Sequence, residues 1–167
     1  MRLNVLKRLL FIGLIFFVFV AGDWGDEKSL LQVRARILPQ RLARGQEGYI
    51  ELRFSAQEGI TISPMPVFTI ELGPSQELIF PKDFFTSSDL EMEILEEEGK
   101  EHLNLEESVS IPFTVRLEAR RGSHRIEGSI KYFACSLEEG WCLKEKTEFS
   151  ASFYTSNRIF QKKPSKN

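Results

Sequence analysis

The sequence has 167 residues, with 22 Lys and Arg against 24 Asp and Glu, and only two cysteines and two histidines. This length suits one domain that buries its own core. The basic residues concentrate at the two ends, so that residues 23–157 hold 15 basic and 24 acidic side chains, a net charge of −9. An acidic body excludes nucleic acid as a partner, because binding phosphates requires a basic face.

The N-terminus has the pattern of a secretory signal peptide. Arg2, Lys7 and Arg8 precede an apolar run from Leu9 to Val20. That run is shorter than the roughly 20 residues of a membrane-spanning helix, and small residues follow it. We therefore predict a signal peptide at 1–22 and a protein of the periplasm or another exported location, with no stable membrane span after cleavage. An uncleaved N-terminal anchor is the alternative.

Apolar and polar residues alternate along several segments, which predicts half-buried strands. The segments are 31–37, 50–55, 68–72, 90–94, 109–119, 126–134 and 149–153, with shorter candidates at 59–63 and 78–80. Glycines and prolines separate them, and no window has helical periodicity. About eight antiparallel strands at this spacing predict an all-β fold, an immunoglobulin-like β-sandwich. It would occupy 23–157 and be followed by a basic flexible tail at 158–167.

The segments between these strands are predicted to be turns and loops. They are 41–47, the loop 81–89, the acidic turn 96–101 and a hairpin turn at 120–124. Signatures of metal and cofactor chemistry are absent from the sequence. The two histidines, His102 and His124, have no ligand spacing with the cysteines and are expected at the surface. The sequence thus predicts neither a metal nor a cofactor.

The two cysteines, Cys135 and Cys142, lie at the mouth of a predicted β-hairpin within the segment KYFACSLEEGWC. Export favours a disulfide between them, and the hairpin brings their sulfurs within bonding reach. The closed loop has eight residues, so the bond would stabilise the fold by only about 2.5 kcal/mol. This weak contribution favours a reactive pair, but the spacing alone leaves open a structural bridge.

The neighbours of the pair refine this prediction. Tyr132 and Trp141 are expected to form an apolar collar that shields the sulfurs, although ordinary packing would explain each of them equally well. Glu138 and Glu139 disfavour a thiolate beside them. We therefore expect exchange with a dedicated partner instead of a self-activated nucleophile.

Two segments, VSIPFTV and IKYFACSLEEGWCLKEKTEF, resemble the amino-terminal periplasmic domain of the bacterial thiol:disulfide interchange protein DsbD. The resemblance implies an immunoglobulin-like domain whose Cys135 and Cys142 carry reducing equivalents. It implies two partners, a membrane electron-transfer protein and a thioredoxin-fold redox protein. Members of that family commonly have prolines directly after the second cysteine, where this chain has Leu143, Lys144 and Glu145.

The resemblance also implies a capping loop over the cysteines that carries a phenylalanine, for which Phe84 and Phe85 are the candidates. A second hypothesis is a non-catalytic immunoglobulin-like binding or assembly module that holds a structural disulfide. The two hypotheses differ in whether the Cys135–Cys142 pair is reduced and reoxidised in use.

Overall fold

A computed structural model describes residues 29–97 and 99–160, so the predicted signal peptide lies outside the described residues. Within these ranges the only regular secondary structure is the β-strand, and no helix is long and apolar enough to cross a bilayer. The strands are β1 (Leu31–Leu38), β2 (Arg41–Arg44), β3 (Glu47–Ala56), β4 (Ile60–Ile62), β5 (Thr69–Leu72), β6 (Leu78–Ile79), β7 (Phe84–Thr86), β8 (Ile94–Glu97), β9 (Lys100–Leu103), β10 (Val109–Val115), β11 (Gly122–Ser136) and β12 (Trp141–Ile159).

The strands form two sheets and a separate hairpin. One sheet has the order β1-β3-β10-β6, and the other has the order β2-β12-β11-β5-β7, with β4 also paired to β11. All pairings are antiparallel except the one between β2 and β12. β8 and β9 pair only with each other. The predicted immunoglobulin-like β-sandwich is confirmed.

The core lies between the two sheets and is built by the alternation seen in the sequence. On β10 every second residue is buried, from Val109 to Val115, and Pro112 is on the exposed face. Phe113 packs against Phe80 and Phe153, with ring centroids 6.2 Å apart in both pairs. Because these aromatic rings come from distant parts of the chain, they fix the two sheets against each other.

A long hairpin of β11 and β12 dominates the larger sheet. Its ladder is continuous from the pair Gly122–Thr155 to the pair Ser136–Trp141. The even-numbered residues near the end of β11, from Ile130 to Ala134, are buried in the core. Side chains alternate between faces along a strand, so Cys135 points to the outer face of the sheet.

Three predicted connections differ from the structure. β2 and β7 form within the segments predicted as the turn 41–47 and the loop 81–89, because each pairs with a longer strand. The predicted hairpin turn at 120–124 is wrong: β10 pairs with β3 and β6, whereas β11 pairs with β12, β4 and β5. This connection therefore crosses from one sheet to the other. β12 also continues to Ile159, within the predicted tail, because Ile159 pairs with Arg44.

Candidate functional site

Cys135 and Cys142 are joined by a disulfide, as the hairpin predicted. They are direct partners in the β11–β12 ladder, and their Cα atoms are 4.1 Å apart. This separation corresponds to the narrow, non-hydrogen-bonded pair of an antiparallel ladder, about 4.5 Å. The ladder continues beyond them to Ser136 and Trp141. The register of the strands thus places the two sulfurs side by side.

The turn that joins the two strands is closed by hydrogen bonds of its own. Gly140 has a φ of 71°, and its amide donates to the carbonyl oxygen of Ser136 at 3.0 Å. The Ser136 hydroxyl accepts the amide of Glu139 at 3.2 Å. The indole Nε1 of Trp141 donates to the Glu139 carboxylate. The turn is therefore ordered by local contacts in addition to the disulfide.

The two cysteines have different surroundings. Cys135 lies between β12 and β4, where Thr61 is its opposite residue, and Thr61 Oγ1 donates to the Cys135 carbonyl oxygen at 3.4 Å. It is half-buried. Cys142 is exposed. Within the described ranges, its part of β12 pairs with β11 on one side and with no strand on the other. Cys142 is thus the more accessible residue of the pair.

A cavity of about 530 Å³ adjoins the disulfide. One wall is Thr61 and the segment Ser63–Met65, whose chain turns where the Met65 amide donates to Ser63 Oγ at 3.2 Å. The tip of the β8–β9 hairpin, around Gly99, also lines the cavity. The disulfide and its turn complete the lining. The Met65 side chain is 70% exposed and so offers an apolar surface beside the cavity.

The charges around the cavity are mostly negative. Glu96 and Glu101 line it together with one cation, Lys100. Glu138 and Glu139 are exposed in the neighbouring turn. An approaching thiolate is an anion, so these carboxylates slow its attack on the disulfide. Among the described residues no group of three or more His, Cys, Asp and Glu could hold a metal.

The four residues predicted to shield the pair lie in three different places. Trp141 lines the cavity beside the disulfide. Tyr132 is 1% exposed in the core, on the face opposite Cys135, and its hydroxyl is 3.0 Å from Thr147 Oγ1. Phe84 and Phe85 lie on β7, where Phe85 is buried opposite Ile70 and Phe84 is exposed. Neither phenylalanine lines the cavity.

The structure places other residues at the cavity that the sequence did not single out. Pro64 and Met65 follow β4, and the hairpin tip around Gly99 comes from a segment predicted as a solvated turn. The sequence marks both as turns through Pro64 and Gly99. It gives no signal that these turns meet at Cys135, because that approach depends on the packing of distant strands.

The histidines are more enclosed than predicted. The His124 side chain is 14% exposed, and its ring lies 5.2 Å from the ring of Phe153. Its Nε2 is 2.8 Å from the carbonyl oxygen of Arg120. His102 is half-buried on β9. The expectation of exposed histidines is wrong, and neither residue lines the cavity beside the disulfide.

Comparison with known proteins gives similarities of structure only. No protein-family profile and no curated protein matches the sequence. A cohesin module from a Clostridium perfringens family 33 glycoside hydrolase is similar over 77% of this chain and 99% of its own, with 7% identity and a TM-score of 0.43. The N-terminal periplasmic domain of ScsB from Proteus mirabilis has 15% identity and a TM-score of 0.42, over 77% of this chain and 47% of its own. Murine CRIg has 8% identity and a TM-score of 0.33, over 76% and 98%.

Proposed function

We propose that this chain is an exported thiol:disulfide exchange carrier that uses the Cys135–Cys142 pair. It would receive reducing equivalents from a membrane electron-transfer protein and pass them to thioredoxin-fold proteins. The observation that carries the proposal is the position of the disulfide, which lies on the outer face of one sheet, beside a cavity, with Cys142 exposed. A partner's thiol can reach it there without any rearrangement of the core.

The position is a poor one for a bond whose purpose is stability. The disulfide links two residues that are already partners in one ladder and leaves the two sheets of the sandwich unconnected. The eight-residue loop that it closes contributes only about 2.5 kcal/mol in the chain-entropy account. The reduced chain would therefore keep its fold, as a carrier requires.

The proposed reaction is a two-electron exchange in two steps. In the dithiol form, the Cys142 thiolate attacks a partner disulfide, forms a mixed disulfide and releases one partner thiolate. The Cys135 thiolate then attacks the sulfur of Cys142, closes the Cys135–Cys142 bond and releases the second partner thiolate. The carrier loses two electrons and two protons, and the partner gains them. Reduction of the carrier by its donor is the same sequence in reverse.

The carboxylates around the cavity define the kind of partner. Glu96, Glu101 and the turn residues Glu138 and Glu139 repel small anionic thiols such as glutathione. A protein with a basic surface around its reactive cysteine would be attracted to the same charges. The arrangement thus favours dedicated protein partners over the glutathione pool.

The test is the reduction potential of the pair, measured by equilibration in glutathione buffers and alkylation of the free thiols. A carrier is expected near −200 to −250 mV, whereas a structural bridge lies below about −300 mV. The Cys135→Ala variant is also expected to form a trapped mixed disulfide with a thioredoxin-fold protein. A potential below the structural limit together with no trapped complex would overturn the carrier proposal and leave the disulfide a structural bridge, as in the alternative of a non-catalytic binding or assembly module.

A further inference from the structure

A second cavity, of about 780 Å³, lies at the far end of the β11–β12 hairpin from the disulfide. Its walls come from β2, from Arg121 directly before β11 and from the end of β12. Three arginines line it, Arg41, Arg121 and Arg158, and all three are exposed. The described residues around it include no Asp or Glu.

The missing carboxylates distinguish this cavity in an acidic protein. The cavities beside the disulfide, beside Gly128 and beside Tyr49 all include at least one glutamate. Among the described residues, none of the three arginines that line this cavity forms an ion pair. Elsewhere on the surface, arginines do pair with glutamates, as Arg36, Arg53 and Arg125 show. The positive charge that lines this cavity is therefore available to an anionic ligand.

Tyr154 organises two of these arginines. Arg121 Nε donates to the Tyr154 hydroxyl at 3.1 Å, and the Arg41 guanidinium lies over the Tyr154 ring, 5.4 Å from its centroid. Stacking and a hydrogen bond restrict the long arginine side chains, so less conformational entropy is lost when they bind a ligand. A fourth arginine, Arg44, lies on β2, and its buried Nε has no hydrogen-bond partner among the described residues.

Neutral donors and an apolar rim complete the cavity. Ser156 and Asn157 line it and can donate hydrogen bonds to an oxyanion. Ile159 and Phe160 also line it, and they are 63% and 48% exposed. Positive charge and exposed apolar groups therefore occur together at this end of the molecule.

We propose that the cavity lined by Arg41, Arg121 and Arg158 binds a phosphate-bearing ligand. Three guanidinium forks match the charge and the several oxygens of a phosphate better than those of a single carboxylate. The phosphate comes either from the headgroup of an anionic phospholipid or from a soluble phosphate ester. Because the cavity and the disulfide lie at opposite ends of β11 and β12, this binding is independent of the thiol chemistry.

The test is calorimetric titration of the protein, purified after export, with three probes: inorganic phosphate, glycerol 3-phosphate and monomeric dihexanoyl phosphatidylglycerol. The variant Arg41→Gln/Arg158→Gln is compared with Arg34→Gln/Arg125→Gln, which removes the same charge from the outer faces of the two sheets. The first variant is expected to weaken binding by about tenfold or more, and the second by less than about twofold. Thermal melts verify that both variants are folded.

The probes separate the two sources of phosphate. Tighter binding of the lipid than of glycerol 3-phosphate identifies a phospholipid headgroup, with Ile159 and Phe160 as the groups that contact the acyl chains. Equal binding of these two probes identifies a soluble phosphate ester. Failure of all three probes to bind, or an equal loss of binding in the two variants, would overturn the proposal.

Discussion

Thr61 Oγ1 donates a hydrogen bond to the carbonyl oxygen of Cys135, 3.4 Å away, on the side of β11 opposite Cys142. Cys135 is therefore held between β4 and β12. Among the described residues, the part of β12 that carries Cys142 pairs with β11 alone. The disulfide thus joins Cys135, which is held between two strands, to the exposed Cys142. In the proposed exchange, Cys142 would therefore react first with the partner, and Cys135 would close the bond afterwards.

The two single-cysteine variants are expected to differ in reactivity. Cys135→Ala, which keeps the exposed Cys142, should react with a small aromatic disulfide about tenfold faster than Cys142→Ala, because access limits the half-buried Cys135 thiol. Stopped-flow absorbance of the released thiolate measures both rates. The same variants in guanidinium chloride are the control, since there the two thiols should react alike. Equal rates in the folded proteins would show that exposure does not set the order of attack.

Removal of both cysteines should leave the fold intact. The variant Cys135→Ala/Cys142→Ala is expected to lose at most about 2.5 kcal/mol of unfolding free energy, because the hairpin register does not depend on the bond. Urea denaturation followed by circular dichroism measures the loss. The wild-type protein in excess dithiothreitol provides the matched reduced control. A chain that no longer folds would identify the disulfide as a structural requirement.

The strands that the sequence predicts well are those whose alternation is fixed by burial on one face. β1, β3, β10 and β11 have this pattern, and a shift of one residue would expose the entire apolar set of each. The same alternation puts Cys135 on the outer face, because it follows the buried Ala134 on β11. In these strands, burial of one face determines both the alternation in the sequence and the orientation of the strand in the fold. The sequence alone is therefore sufficient to predict them.

The missed features depend on contacts between distant segments. The sequence predicts a loop at Phe84 and Phe85, but pairing with β5 makes them part of a strand. Successive residues of a strand point to opposite faces. Only one of them can then enter the core. The cavity walls at Met65 and Gly99 likewise follow from how separate turns pack around β4 and β11. Neither arrangement has a signature within a window of ten residues.

The carboxylates of the cavity are expected to control which thiols react. Replacing both lining glutamates in Glu96→Gln/Glu101→Gln should speed reduction of the disulfide by glutathione several-fold, about 3- to 10-fold at low salt, because the repulsion of an anionic thiolate is removed. The gain should shrink as salt increases, since screening weakens the same repulsion. Fluorescence or alkylation assays of the reduced fraction measure the rate.

The matched control is Glu106→Gln/Glu118→Gln, which removes the same charge from two exposed residues that do not line the cavity. Its rate should stay close to that of the wild-type protein. If both double variants accelerate the reaction equally, net charge alone is responsible, and the cavity has no selective effect on thiols.

Glu51 is a buried carboxylate on the outer face of the smaller sheet. It is 6% exposed because Arg36 and Arg53 cover it from neighbouring positions. The hydrogen bond from Arg36 is the main cause that lowers the pKa of Glu51 from 4.5 to about 2. A pKa that is lower in the folded state means that ionised Glu51 stabilises the fold above pH 4.5. This stabilisation disappears as the pH falls from 4.5 towards 2.

The variant Glu51→Gln should therefore be less stable than the wild-type protein at pH 7, with a melting temperature lower by about a few degrees. The difference between the two proteins should narrow from pH 4.5 to pH 2, because protonation removes the same charge from the wild-type protein. Asp89, whose pKa the hydrogen bond from Lys82 lowers to about 2, titrates in both proteins and leaves the difference unchanged. Thermal melts at several pH values, with the exposed Glu107→Gln as control, measure it. A difference that stays constant with pH would mean that packing of the side chain, and not its charge, stabilises this face.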